Sequence, residues 1–245
     1  MGRNNLIFGM HPLLEALEAG REIDKILLKR GLRSDEVSRI MALARERIIP
    51  LQMVPEERLS RLTRGQHQGV IAFVSEIEYT SLEQLIPMIY EQGRSPFVVL
   101  LDGLTDVRNF GAIARTAECA GVDALIIPER GSVSVTADAI KTSAGALHRL
   151  PVCRVSSIAS AVALLQQSGL QVVAASEKAS DLYTETDLRL PLGLVLGAED
   201  HGVSTDVLRM VDRIVRIPQV GAIGSLNVSV AAGILIYEVV RQAKK

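Results

Sequence analysis

The sequence has no tryptophan, only four phenylalanines and four tyrosines, and just two cysteines in 245 residues. A core with so few large aromatics must be filled chiefly by Leu, Ile, Val and Ala, which suits helices packed on a parallel sheet. Cys119 and Cys153 have neither the spacing of a metal site nor the number needed for a disulfide framework, so no metal is expected. Neither looks like a nucleophile, since Cys119 lies inside an apolar helical stretch and Cys153 outside the glycine-bearing loops described below. The opening residues, Met-Gly-Arg-Asn-Asn-Leu-Ile, lack an apolar signal region with a small-residue cleavage site. The one long uncharged stretch, 217–237, carries Pro218, Gln219, Gly221, Gly224, Ser225, Asn227 and Ser229, too many polar and breaking residues for a lipid-facing span. A cytoplasmic protein without a membrane partner is expected.

Strong charge of either sign is also lacking. The net charge of −1 argues mildly against nucleic acid as a partner, because nucleic-acid-binding domains are often basic. Its distribution softens the objection: residues 1–75 carry +3 and the remainder −4. Any RNA contact should therefore favour the N-terminal part.

With 48% hydrophobic and 22% charged residues the balance is that of a globular chain long enough for two modest domains. The first 76 residues alternate helical spacing (11–20, ending at a capping Gly20), a strand (23–28), an amphipathic helix (34–47) and a second strand (70–74). This is a small α/β domain. Residues 77–95 are mixed and acidic and read as a linker with one short helix. From residue 96 to 245 the pattern changes. Continuous apolar runs at 97–102, 124–127, 171–174, 192–196 and 213–216 read as strands buried on both faces, and helical patterns lie at 112–120, 158–167 and 225–242. That alternation predicts an α/β domain with a parallel sheet and helices on both faces.

Ligands of open α/β sheets gather in the loops at the carboxyl ends of strands. Three such loops stand out. The first holds Asn109, placed to cap the next helix, then Gly111 and Arg115; a cap and a solvated arginine would explain it equally well. The second, Gly197-Ala-Glu-Asp-His-Gly202, is either a tight turn with exposed acids or a place where Glu199 accepts hydrogen bonds from a ligand. In the third, Gly221 and Gly224 precede Ser225-Leu-Asn227. Ser225 reads as an ordinary N-cap, whereas Asn227 so early in an apolar helix calls for a hydrogen-bonding partner. There is no Gly-x-Gly-x-x-Gly after the first strand and no phosphate-loop lysine, which counts against a nicotinamide-dependent dehydrogenase.

Taken together, Asn-x-Gly-x-x-x-Arg-Thr-Ala at 109–117, Gly-Ala-Glu-x-x-Gly at 197–202 and Ser-Leu-Asn-Val-Ser-Val-Ala at 225–231 resemble, in order and context, the three motifs of the SpoU (TrmH) family of RNA methyltransferases. Upstream, Phe8-Gly-Met-His-Pro12 and His67-Gln-Gly-Val-Ile-Ala72 resemble that family's N-terminal, ribosomal-protein-like substrate-binding domain, so the likeness covers nearly the whole chain. It is nearest to the guanosine 2′-O-methyltransferases of 23S ribosomal RNA. The chain departs from the family in having Ile-Pro-Gln219 where Ile-Pro-Met is frequent, and Asp200-His201 where Gly-Lys is frequent.

The resemblance implies S-adenosylmethionine as methyl donor, a trefoil-knotted SPOUT sheet, a homodimer, and RNA as substrate. It places Asn109, Arg115, Glu199, Ser225 and Asn227 around the reacting hydroxyl, and the cofactor against Leu196, Gly197, Ala198, Ile217, Pro218, Ser225 and Leu226. An arginine is a poor base, its pKa lying above about 12; Arg115 is better read as a phosphate clamp that also stabilises the developing alkoxide. In the N-terminal domain Arg21, Lys25, Lys29, Arg30, Arg33, Arg61, Arg64 and His67 are candidates for gripping RNA, though each would also serve as ordinary solvated surface. A tRNA 2′-O-methyltransferase and a non-catalytic RNA-binding protein of the same fold are the competing readings. The intact set of five polar residues weighs against the second.

Overall fold

The two patterns of the sequence correspond to two units, Met1–Glu78 and Tyr79–Lys245. The computed structural model describes residues 6–63 and 65–243.

In the first unit β1 (Leu6–Phe8), β4 (Val70–Val74), β2 (Ile23–Lys29) and β3 (Leu51–Val54) form a sheet in that order. β4 runs antiparallel to both neighbours, and β2 and β3 are parallel. Helices α1 (Met10–Glu18) and α2 (Asp35–Glu46) cover one face through Leu13, Leu17, Val37 and Ile40, packed on Ile26, Leu28 and Ala72. Ser34 caps α2 by accepting from the Val37 N–H, and Asp35 and Glu36 complement its N-terminal dipole. On the other face α3 (Glu56–Leu62) contributes Leu59 to a smaller cluster with Leu27, Val54 and Ile71. The short elements β1, β3 and α3 carry too few residues for periodicity to reveal and were not expected.

The second unit is an eight-stranded, wholly parallel sheet. Its order is β10 (Asp181–Leu182), β12 (Arg213–Arg216), β9 (Gln171–Ala175), β11 (Leu192–Gly197), β6 (Phe97–Asp102), β7 (Ala124–Pro128), β8 (Val152–Val155), β5 (Tyr79–Thr80). Side chains alternate across β6. Val98 and Leu100 enter a core built with α4 (Leu82–Glu91) and α7 (Ile158–Gln167), while α6 (Ala137–Thr142) and α9 (Val228–Ala243) both pack on α5 (Val107–Cys119) as a second group of helices. The stretch read as a linker with one short helix does contain that helix, but it belongs to this unit. Residues 79–91 are β5, paired with β8, and α4, whose Leu82, Leu85, Ile86 and Ile89 are buried in this unit's core.

Two helix starts also differ from expectation. α5 begins at Val107 because Asp106, not Asn109, is its cap, accepting from the Arg108 and Asn109 N–H groups at 2.8 Å each. α9 begins at Val228 because Asn227, not Ser225, occupies the capping position, with its carboxamide oxygen accepting from the Ser229 N–H. Beyond the uncharged stretch, α9 carries a buried Glu238 that pairs with Arg241.

From β6 the chain proceeds outward through β7 and β8, while β9, β11 and β12 build the opposite half, with β11 inserted against β6. The β11–β6 boundary is thus a topological switch point, where a crevice opens at the carboxyl ends of the strands.

Candidate active site

All three glycine-bearing loops converge at that crevice. The first leaves β6 at Asp102, turns at Gly103 in the left-handed region (φ +74°) and enters α5, bringing Asn109 into its first turn. The second leaves β11 at Gly197 and doubles back at once, with the Gly202 N–H donating to the Ala198 carbonyl at 2.9 Å. A β-carbon on Gly197 would lie 2.0 Å from the Gly202 carbonyl carbon and 2.1 Å from the Val203 nitrogen, so only glycine permits this turn. The Asp102 carboxylate accepts from the Ser204 N–H at 2.8 Å and pins the loop back onto β6. The third loop runs from Ile217, past β12, to Asn227.

The convergence produces a hydrogen-bonded trio. The Asn109 Nδ2 donates to Glu199 Oε1 at 2.9 Å, and the Asn227 Nδ2 donates both to Glu199 Oε1 at 2.6 Å and to Asn109 Oδ1 at 3.1 Å. The partners come from three separate loops, so no local turn chemistry accounts for the arrangement. Hydrogen bonds to an ionised carboxylate are the shorter and stronger kind, and here one carboxylate oxygen receives two of them. Beside the trio lies a cavity of about 350 Å³, lined by Leu196, Gly197, Ala198, Glu199, Ile217, Ser225 and Leu226 among others. That volume lies within the common range for small-molecule sites, about 300–1,000 Å³.

Six of the seven residues expected to line a cofactor site therefore border this cavity, and the exception is Pro218. Glu177 and Lys178, just beyond β9, line it too and went unnoticed in the sequence, where no glycine or motif marks them. Asp200 and His201 also line it, with His201 Nδ1 2.5 Å from the Asp200 carboxylate and its ring over Gly103.

Arg115 stands apart from the trio. Six residues beyond Asn109 on α5, it emerges on a face roughly 120° away from that of Asn109, at about 100° per residue, exposed and without an ion pair among the described residues.

In the first unit Arg21 and Arg30 are exposed. Lys29 forms an ion pair with Glu56 at 2.5 Å. His67 is engaged locally, its Nδ1 accepting from the Gly69 N–H at 3.1 Å and its Nε2 3.3 Å from the Ser60 hydroxyl. Arg64 lies outside the described residues. The neighbouring Gln68 joins the two N-terminal motifs, since its side-chain oxygen accepts from the Met10 N–H at the start of α1.

Residues 96–237 match the family model described as the SpoU rRNA methylase family, and residues 6–80 match one described as RNA 2′-O ribose methyltransferase substrate binding. The chain belongs to the SpoU rRNA methylase family. Within that family it is 38% identical over 237 residues to a Staphylococcus saprophyticus protein named for the TrmH family of tRNA/rRNA methyltransferases, covering 97% of this chain and 95% of that one. The AdoMet-bound rRNA methyltransferase of Sinorhizobium meliloti superposes with a TM-score of 0.61 at 26% identity, over 97% of this chain and 87% of that one. A TrmH/SpoU tRNA-modifying enzyme of A. aeolicus superposes with a TM-score of 0.56 at 28% identity, over 66% of this chain and 83% of that one. As a SpoU-family chain it has both the N-terminal substrate-binding unit and the parallel α/β unit.

Proposed function

We propose that this SpoU-family RNA methyltransferase transfers a methyl group from S-adenosylmethionine to a ribose 2′-hydroxyl, with a guanosine of 23S ribosomal RNA as target. The observation that carries the reading is the Asn109–Glu199–Asn227 trio, whose Glu199 lines the cavity at the β11–β6 boundary. The cavity's chemistry fits the cofactor. Leu196, Ile217, Leu226 and Val228 offer apolar surface to an adenosyl group, and Glu177 and Glu199 offer negative charge to a sulfonium and an ammonium. When bound, S-adenosylmethionine supplies an electrophilic methyl group.

The protein's part is to hold the ribose hydroxyl in line with that methyl group and to receive its proton. Positioning of this kind contributes up to about 7–11 kcal/mol in well-oriented model reactions. Glu199 is the acceptor within reach: the two amides fix its Oε1, which leaves Oε2 for a hydroxyl or a water. Ser225, at the cavity edge, orients the ribose. Arg115, exposed on α5 and without an ion pair among the described residues, takes a phosphate of the RNA and stabilises the developing alkoxide. The RNA is gripped by the first unit through Arg21, Arg30 and Lys29.

Ribosomal RNA is favoured over tRNA because the rRNA-modifying neighbour extends over 97% of the chain, whereas the tRNA-modifying one covers 66%. The same reading includes the trefoil knot around the 217–227 loop, a cytoplasmic location, and a homodimer. Val230 and Tyr237, both half exposed on α9, offer a self-complementary apolar stripe to a second copy.

The test uses S-adenosylmethionine with a labelled methyl group, RNA from cells lacking the activity, and complete alkaline digestion. Cleavage by alkali needs a free 2′-hydroxyl, so ribose methylation leaves the label in a resistant dinucleotide whose sequence locates the site. Label in mononucleotides would move the reaction to a base and remove the role given to Arg115.

A further inference from the structure

Two serines flank Asn227 at equal distance along the chain, one in the third loop and one in α9, and they do different work. Ser225 lines the cavity. Ser229 lies on the far side of Asn227, half-buried in the first turn of α9. Its backbone N–H reaches Asn227 Oδ1 at 3.0 Å and its hydroxyl reaches the same oxygen at 2.5 Å. An N-cap needs only the first of these bonds. The second donor is additional.

We infer that Ser229 is a positioning residue for the methyl transfer, fixing the Asn227 carboxamide in the one orientation that turns its amide protons toward Glu199 and Asn109. The inference rests on the proposed reaction for its consequence in turnover, but its geometry stands independently. A carboxamide offers an acceptor at one end and two donors at the other. The polarity of the Ser229 N–H cannot be reversed, so the end of Asn227 that faces it must be the oxygen. Rotating the carboxamide by a half-turn would set its NH₂ against that N–H and its oxygen against the Glu199 carboxylate and the Asn109 oxygen, replacing three hydrogen bonds by repulsion, whereas the Ser229 hydroxyl would accept where it now donates. Asn227 and Glu199 are both exposed, where water competes for each amide proton. The backbone N–H sets which end of the carboxamide faces α9, and the Ser229 hydroxyl adds a second bond to that oxygen, holding the side chain against the first turn and away from rotamers in which water replaces these bonds. Its own proton is committed to Asn227 Oδ1, so Ser229 does not itself carry a proton to or from substrate.

The test compares the full-length wild type with Ser229→Ala and Ser229→Thr. With ¹⁵N-labelled asparagine, the side-chain amide signals of Asn227 are expected to shift and broaden in Ser229→Ala and to return in Ser229→Thr, with the melting transition unchanged. Turnover of RNA is expected to fall about tenfold in Ser229→Ala, as for loss of one hydrogen bond. The KM for RNA and the affinity for S-adenosylmethionine should hold, and Ser229→Thr should recover. Ser229→Cys, with a weak donor, is expected between them and serves if the alanine variant does not fold. Unmoved Asn227 signals in Ser229→Ala, or moved signals with undiminished turnover, overturn the inference. A wild type that methylates no RNA overturns the functional reading instead, while the amide signals still decide the orientation of Asn227.

Discussion

The place where Gly197 would carry a β-carbon is 2.0 Å from the carbonyl carbon of Gly202, closer than any two such atoms can stand. The obstacle is backbone, not the end of a flexible side chain. Gly197→Ala must therefore open the 197–202 turn, which carries Glu199 and borders the cavity. Overpacking of this kind costs about 1–3 kcal/mol and occasionally more. Urea denaturation is expected to show that loss, and titration with S-adenosylmethionine to show binding weakened beyond it. An alanine variant of wild-type stability and affinity would mean that the turn relaxes freely.

Gly202, five residues on, takes φ +70° with open space around it, so its requirement is conformational where that of Gly197 is steric. The sequence marks both glycines and cannot tell these reasons apart, because close approach is a property of the folded turn. The same limit governs the rest. Apolar runs such as 97–102 were legible as buried strands since burial on both faces leaves no alternation to misread. Two-residue edge strands such as β5 leave no period at all, and so the stretch read as a linker around its one short helix, not as part of the sheet domain. The site's loops were legible from their glycines and polar residues. The misplaced caps have a plain cause: Asp106 and Asn109 are both good caps three residues apart, and tertiary contact with Glu199 claims Asn109. Ser229 escaped notice because its partner is Asn227 itself, two residues away, which sequence reading assigns to the helix interior.

Arg115 is exposed and unpaired among the described residues, so replacing it should leave stability within about 0.5 kcal/mol. Arg115→Lys keeps the charge and loses the planar fork that grips a phosphate from two sides. Turnover is expected to fall about 100-fold, the order found when one stabilising donor is removed, with affinity for S-adenosylmethionine intact. Single-turnover methylation of RNA measures the first and calorimetry the second. Turnover near that of the wild type would rule out the bidentate clamp.

Asn227→Asp tests the trio's electrostatics without removing the cap, because Asp caps as well as Asn. It sets a second carboxylate beside Glu199, where the wild-type amide donates at 2.6 Å. Like charges so close push the pair's proton affinity up. Turnover at neutral pH is expected to drop about 100-fold. Adding Glu199→Gln to Asn227→Asp removes the repulsion, and a double-mutant cycle on thermal stability should give a coupling above about 1 kcal/mol. Strict additivity would mean that the two residues act independently.

Cys153 is buried in β8, and burial pushes its thiol up to about 12. Cys119 is exposed on α5. A disulfide reagent at pH 8 is therefore expected to titrate one thiol in the native protein and two after denaturation, since only a thiolate attacks. Cys119→Ala should abolish the native reaction, and retained reactivity in that variant would place Cys153 nearer solvent than its surroundings in β8 allow.

The ion pair between Lys29 and Glu56 restrains a cation that the proposed function assigns to RNA. The hydrogen bond from Lys29 holds the Glu56 carboxyl below its usual value of 4.5. A depressed carboxyl contributes in its charged form above its unfolded value and loses that contribution as pH falls through the folded one. The pair is therefore intact throughout the neutral range in which RNA binding is measured. Glu56→Gln removes the competing charge and frees Lys29 for a phosphate. RNA affinity is expected to rise, and the slope of log K against log salt to steepen by about 0.7–0.9, the counterion release of one further phosphate contact. Lys29→Gln should reverse both changes in the Glu56→Gln background. A slope that stays flat in Glu56→Gln would take Lys29 off the RNA-binding surface and leave Arg21 and Arg30 as the groups to examine there.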